Sequence, residues 1–385
     1  MKRDKYYGLS PRIAVWKIDN TIENWLSYKA DHSEIWKWVY VSYYRYADKK
    51  YYQGGIKFIN KCISEYSYLK DVKRSYLIKD MVYCLHRFGI SFEEYCIYHF
   101  IDKTFRCRNT FVSDKLRHYY ADILNSDYIT PLLNDKYQCY KAYKKFYGRE
   151  VIACYSPEDK DLFITFARKH KTFILKPVSD NCGHGVQFIT LEENEIPSFF
   201  NDHIIRGAFV AEEPINQGEE LKVLHPESIN TLRVSTFVLG DEVLINAIVL
   251  RIGSGPSVVD NAGSGGMYAS VDIENGIIQS NARDYKGREY NSHPDTKVQI
   301  IGHKLPEWDS LLDTVKSIAK HKEGSNLIAW DLAYSTNGWI MVEGNAVGSW
   351  DVLQSNLQKG LKPMLFSRID KFFNINKGIS PKIFI

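Results

Sequence analysis

Asp331, Glu343 and Asn345 are the residues whose types and spacing most directly point to chemistry. They lie in one run, Ala329 to Asn345, Ala-Trp-Asp-Leu-Ala-Tyr-Ser-Thr-Asn-Gly-Trp-Ile-Met-Val-Glu-Gly-Asn. Alternating β-formers on either side of Thr336-Asn337-Gly338 predict a hairpin. A two-residue loop at Asn337-Gly338 sets Asp331 opposite Gly344 and points the two acids to opposite faces. A three-residue loop, closed by Gly338 in a left-handed bulge, sets Asp331 opposite Glu343, with Asn345 on the same face. In that register Ile328, Trp330, Leu332, Tyr334, Ile340 and Val342 form an apolar face and Ala329, Asp331, Ala333, Glu343 and Asn345 the other. Paired carboxylates repel, and a divalent cation with oxygen ligands makes such a pair tolerable. Mg2+ suits the set because it completes its shell with phosphate oxygens. The plain alternative is a solvated acidic hairpin face.

Further candidates lie upstream. Thr172 to Pro177 reads as a buried strand carrying Lys176 near its end, followed by the glycine-bearing loop Ser179 to Gly185 and a second strand, Val186 to Thr190. Such a loop is able to cover phosphates with backbone N–H groups while the ammonium supplies charge. It is not a Walker loop, since GxxxxGK[ST] is absent, and a simple glycine hairpin has the same pattern. Phe209 to Ile215 reads as a strand running into a linker suited to an adenine edge. Arg233 and Arg251 sit in the apolar strands Asn230 to Leu239 and Val243 to Ile252, where an arginine needs a carboxylate or phosphate partner. The Gly- and Ser-rich stretch from Ser254 to Gly266 is either a loop that closes over a ligand or an ordinary connection.

These residues need a scaffold, and 385 residues with 44% hydrophobic content suffice for two or three domains. Fifty Lys and Arg against 46 Asp and Glu, without long single-sign runs, argue against a nucleic-acid binder. Seven cysteines with no CxxC pair suit a reducing compartment, and the absence of an apolar leader or an 18-residue apolar stretch predicts a cytoplasmic protein without a transmembrane segment.

Residues 1–128 are predicted to form an aromatic-rich helical domain. Gly54-Gly55 and Phe88-Gly89-Ile90 are expected to break its helices, and Ser91-Phe92-Glu93-Glu94 to cap the next one. Most of the chain's 27 tyrosines are expected to be packing residues with the hydroxyl at the rim. After Thr130-Pro131 strands and helices alternate, a stretch that the family resemblance given next divides into a nucleotide-binding subdomain with a glycine flap over 129–218 and a second subdomain with the metal site over 219–385. Helices are expected from Leu305 to about Lys322 and from Val352 to about Phe373.

The order of these features resembles the ATP-grasp superfamily, and most closely its sugar-transfer associated branch, over roughly residues 85 to 360. The resemblance rests on Phe92-x-Glu-Tyr95, Asn134-Asp-Lys136, Leu175-Lys-Pro177, Asn230-Thr-Leu-Arg233, His293-Pro-Asp-Thr296, Trp330-Asp331 and Glu343-Gly-Asn345, specific only in combination. It implies an α+β fold of two subdomains gripping ATP. It further implies that Lys136 and Lys176 contact the phosphates and that Gly183-His184-Gly185 forms the flap. Glu212, Glu213 and Ile215 would flank adenine, and Glu220 the ribose. Asp331, Glu343 and Asn345 would hold Mg2+, with Mn2+ as a substitute, while Arg233, Arg251 and Lys176 would act on the transferred phosphoryl group. Cys182 departs from the pattern, standing where a further glycine is common.

The implied reaction is amide formation through an acyl phosphate. The genomic company of the family suggests a uronic-acid-bearing glycan precursor as the acid, an amino acid or amine as nucleophile, and glycan-assembly proteins as partners. The rival readings are a kinase acting on a sugar-like hydroxyl and a non-catalytic nucleotide-binding scaffold.

Overall fold

A computed structural model describes residues 21–47, 49–178, 185–257, 260 and 265–376. The chain divides into two compact units: residues 1–123, 286–288 and 349–385 in the first, and 124–285 with 289–348 in the second.

The first unit is helical. Its main described helices are Thr21–His32, Glu34–Ala47, Lys49–Glu65, Arg74–Phe88 and Asp114–Leu124, joined by Trp350–Ser355 and Lys362–Asn376. Ser91 and Glu94 form the expected capping box, and Gly89, at φ 72°, ends the preceding helix with its N–H on the Leu85 carbonyl. Gly54-Gly55 break nothing, however, because both lie within Lys49–Glu65. A Cβ on Gly55 would come within 2.9 Å of the Phe92 ring, so this glycine permits close packing. The tyrosines pack as expected, with Tyr95 buried and its hydroxyl on Asp80, which also takes both ends of the Arg108 guanidinium.

The C-terminal segment belongs to this unit and not to the second subdomain, and it is not the single helix expected over 352–373. The helix stops after Ser355, Gln358 takes φ 53°, and a Cβ on Gly360 would strike the Thr110 carbonyl oxygen at 2.2 Å. Gln354 explains the docking: fully buried, it accepts from the Val112 N–H and donates to the Val112 carbonyl and the Tyr98 hydroxyl.

The second unit holds two antiparallel sheets. The first contains β1 (Val151–Cys154), β2 (Thr172–Pro177), β3 (Gln187–Thr190) and β4 (Phe209–Glu212), in the order β1-β4-β2-β3. Phe163 from the helix Lys160–Lys169 and Phe200 from Ile196–Ile204 pack on Phe173 and Phe209 to form its core. The second contains β5 (Thr231–Leu239), β6 (Glu242–Ile252), β7 (Met267–Ser270), β8 (Ala282–Arg283), β9 (Glu289–Tyr290), β10 (Leu327–Ser335) and β11 (Gly338–Asn345), in the order β11-β10-β5-β6-β7-β8-β9. Trp330, Leu332 and Met341 line its core with Leu311 and Val315 of the helix Trp308–Ala319.

Asp331 pairs with Glu343, though by neither loop considered above. The loop is Thr336-Asn337, with Ser335 opposite Gly338, and left regular this would set Asp331 opposite Val342. One extra residue in β11, Val342, forms a bulge after the Leu332–Met341 pair and moves Glu343 into place. The two-residue loop also changes the faces: Trp339 and Met341, not Ile340 and Val342, join Trp330, Leu332 and Tyr334 in the core.

Candidate active site

At one end of the second sheet the edge strand β11, then β10 and β5 run side by side, with Arg233 opposite Asp331 and Asp331 opposite Glu343. Arg233 grips Asp331 with two parallel bonds, Nε to Oδ1 and Nη2 to Oδ2, both 2.9 Å. From β6, Arg251 adds Nη2 to Oδ2 at 2.8 Å and donates twice to the Thr231 hydroxyl. Asn345 Nδ2 approaches Oδ2 at 3.4 Å. Burial pushes the fully buried Asp331 carboxyl up, but the two guanidinium charges outweigh it and hold the group down at about 2. Glu343 moves the other way: burial first, then the neighbouring charge of Asp331, raises it despite the pull of Arg251, Lys176 and Arg233. The two carboxyls therefore have different protonation demands.

Lys176 sits on β2 of the first sheet, its Nζ 3.1 Å from Glu212 Oε1. Glu212 Oε2 takes Nε and Nη2 of Arg149 at 3.1 and 2.9 Å. Burial drives Glu212 up, while Lys176 and Arg149 together overcome this and hold it down at about 2. Arg149 then reaches the other sheet, donating to the Tyr147 carbonyl, to Met341 at 2.7 Å and to Val342 at 3.3 Å. A bulge leaves carbonyls without ladder partners, and here a buried guanidinium receives them. Lys176, Glu212, Arg149 and the turn of chain before Glu343 thus form one bonded path between the sheets.

The segment joining the sheets runs beside the end of β10. Glu213 exchanges backbone and side-chain bonds with Glu150, Gln217 pairs with Ser335, and Gly218 N–H donates to the Tyr334 carbonyl. Ile215 is half-buried and Glu220 exposed. The Glu212 carboxylate is occupied by cations, which leaves only its backbone groups for any further partner. Lys136 opens the helix Lys136–Tyr143, capped by Asp135, and its N–H donates to the Val178 carbonyl just past β2. That bond holds the two lysine-bearing backbones together.

Gly183 and His184, with Cys182, lie outside the described residues; Gly185 is described, at φ 73°. The second candidate loop is tied down at Asp260, which is buried and accepts from the Thr231 N–H and hydroxyl, with Arg251 Nε 3.7 Å away. Burial raises Asp260 more than Arg251 and Thr231 lower it. Buried His293 donates from Nε2 to the Gly253 carbonyl and accepts at Nδ1 from the N–H groups of Asp295 and Thr296. Arg149, Thr231 and Asp260 escaped the sequence reading. The available signals were an arginine at the mouth of an apolar strand, a hydroxyl inside Asn230-Thr-Leu-Arg233, and an acid within the loop after Arg251.

No cluster of three or more His, Cys, Asp or Glu suited to a metal occurs among the described residues. Glu343 and the amide oxygen of Asn345 nevertheless fit a Mg2+ ion that takes one or two carboxylates and fills its shell with phosphate oxygens, and Asp331 would join them by giving up one of its arginine bonds. Glu343 is the telling member, since burial of its carboxyl and then the acid beside it push it toward the neutral form, and a cation would relieve both.

Two antiparallel sheets, one bearing the Lys176 strand and the other the Asp331 and Glu343 hairpin, define an ATP-grasp protein. The chain belongs to the sugar-transfer associated ATP-grasp family, whose model matches residues 115–371. Similar solved structures include D-alanine–D-alanine ligase from Helicobacter pylori, 13% identical over 67% of each chain with TM-score 0.42. VanG D-Ala:D-Ser ligase from Enterococcus faecalis is 11% identical over 65% of this chain and 64% of that one, TM-score 0.41. The ATP-grasp ligase PsnB, in complex with a precursor variant, Mg and ADP, is 12% identical over 69% of each chain, TM-score 0.39. No curated protein matches the chain.

Proposed function

We propose that the protein is an ATP-dependent ligase that joins a carboxylate to an amine through an acyl phosphate. The supporting observation is the convergence of Arg233 and Arg251 on Asp331, directly across the ladder from Glu343. A site for phosphoryl transfer between two anions needs concentrated, preorganised cations beside oxygen ligands for a metal. Lys136 and Lys176 would hold the triphosphate, and Asp331, Glu343 and Asn345 the metal. When bound, Mg2+ supplies positive charge to the phosphate oxygens.

In the first step a carboxylate oxygen attacks the γ-phosphorus and the bond to ADP breaks. Arg251 and Arg233 would draw the anionic acid and phosphoryl group together. In the second step the amine nitrogen attacks the acyl carbon, inorganic phosphate leaves, and the nitrogen sheds a proton. Water must be kept away from the acyl phosphate, a role that falls to the Gly183 to Gly185 and Ser254 to Gly266 segments. The family description supports a glycan-linked acid, and a uronic acid is the simplest sugar that bears a carboxylate.

The test supplies purified protein with ATP, Mg2+ and a panel of uronic acids and amines, with hydroxylamine as a substitute nucleophile. Acid-dependent ADP release with hydroxamate formation is expected. A stable phosphoester made without any amine would mean a kinase, and ATP turnover indifferent to every acid would reject the ligase.

A further inference from the structure

Helix Glu34–Ala47 carries two apolar stripes. Tyr40, Val41 and Tyr44 are buried in the helical unit. Ile35, Trp38, Val39 and Tyr46 recur at i, i+3, i+4 and i+11, a single line along the helix, and each is at least 42% exposed, Ile35 reaching 76% and Tyr46 84%. Trp25 and Tyr28 on the preceding helix, Thr21–His32, are also exposed, and Trp25 is braced edge-on against Trp36 at 5.1 Å. A helix apolar all round is normally covered on every side, and a contiguous exposed aromatic surface marks an interaction site.

The charges around this surface identify its partner. Among the described side chains its acids are neutralised from within: Glu34 pairs with Lys37 and Lys79, and Asp31 with Arg87. Its bases are not, since Lys29, Arg45 and Lys49 form no ion pair among the described residues. The face is therefore apolar, rich in Trp and Tyr, and positively charged at its margin. Trp and Tyr place an apolar ring in the boundary of a bilayer with the N–H or O–H in water, and lysine and arginine meet anionic headgroups. A protein partner would need only the apolar surface, whereas the unneutralised cations favour anionic lipid.

We propose that this face docks the protein on the surface of an anionic membrane, lying in the headgroup plane without crossing it. No helix among the described residues is long and apolar enough to span a bilayer. The proposal goes beyond the ligase reading and does not depend on it.

Co-sedimentation of the full chain with vesicles tests it, using phosphatidylcholine alone and phosphatidylcholine mixed with phosphatidylglycerol. Binding is expected to the mixed vesicles, weakening with salt. Ile35→Glu combined with Tyr46→Glu should lower the affinity by about tenfold or more, and Lys29→Gln with Arg45→Gln should lower it for the anionic vesicles alone. These side chains are solvent-facing and outside the candidate active site, so the circular dichroism spectrum and ATP turnover should stay as in the parent protein. No binding, equal binding to both vesicle types, or binding indifferent to Ile35→Glu and Tyr46→Glu would overturn the proposal. So would a dimer in solution that those two substitutions dissociate, which would assign the face to a second copy.

Discussion

The two acids that share a ladder position behave oppositely because of their immediate neighbours. Asp331 receives three arginine hydrogen bonds in full burial, while Glu343 is held beside an ionised carboxylate. Asp331→Asn removes the counter-charge of two buried guanidinium groups, and breaking such a pair costs about 3–5 kcal/mol. Urea unfolding should register a loss of that order. Glu343→Gln removes a like charge instead and should leave the unfolding midpoint unchanged or raised, yet abolish Mg2+-dependent ADP formation. If Glu343→Gln destabilises as much as Asp331→Asn, the roles assigned to the two acids are wrong. The residue types alone indicated that Arg233 and Arg251 needed anionic partners. Which acid they would take depended on the neighbours that strand pairing supplies, and this only the folded sheet displays.

At the scale of elements, the decisive feature is the bulge at Val342. Its position follows from two demands: Trp339 and Met341 must face the core, and the carbonyls of Met341 and Val342 must find donors. Arg149 meets the second demand from outside the hairpin, so local sequence could expose the alternation and the turn residues but not the extra residue. Arg149→Met should leave those carbonyls and half of Glu212 unpartnered, lower stability by about 3–5 kcal/mol in chemical denaturation, and weaken nucleotide binding. Arg149→Lys, which keeps the charge but not the fork, should restore folding more than binding. The capping box of the helical unit makes a separate prediction. Burial pushes Glu94 up to about 8, more than its bonds from the Ser91 and Asp114 N–H groups lower it. Between its ordinary value near 4.5 and about 8 the folded chain holds a proton that the unfolded chain releases, so stability falls as pH rises across that window, by at most about 1.4 kcal/mol per unit. Glu94→Gln should flatten that slope in thermal melts. This box was readable from Ser91 to Glu94, as was the Gly89 stop. The break near Gln358 was not, since a contact with Thr110, distant in sequence, dictates it.

For the whole molecule, a ligand that binds only the folded state stabilises it by about 2.7 kcal/mol at a hundred times its Kd, which shifts the melting temperature of a unit this size by roughly 5–10 °C. ATP with Mg2+ should produce such a shift and ATP with a chelator should not. The reason lies in the bonded path through Glu212. Lys176, Arg149, Arg233 and Arg251 already face Glu212, Asp331, Asp260 and Glu343. Glu212 and Asp331 are held ionised against these cations while burial pushes Asp260 and Glu343 toward the neutral form, so a tetraanion entering alone would find its welcome partly spoken for by resident carboxylates. On the proposed ligase reading the nucleotide would arrive already escorted by its divalent ion, so the concentration that governs occupancy would be that of the complex, and excess uncomplexed ATP should not compete with it.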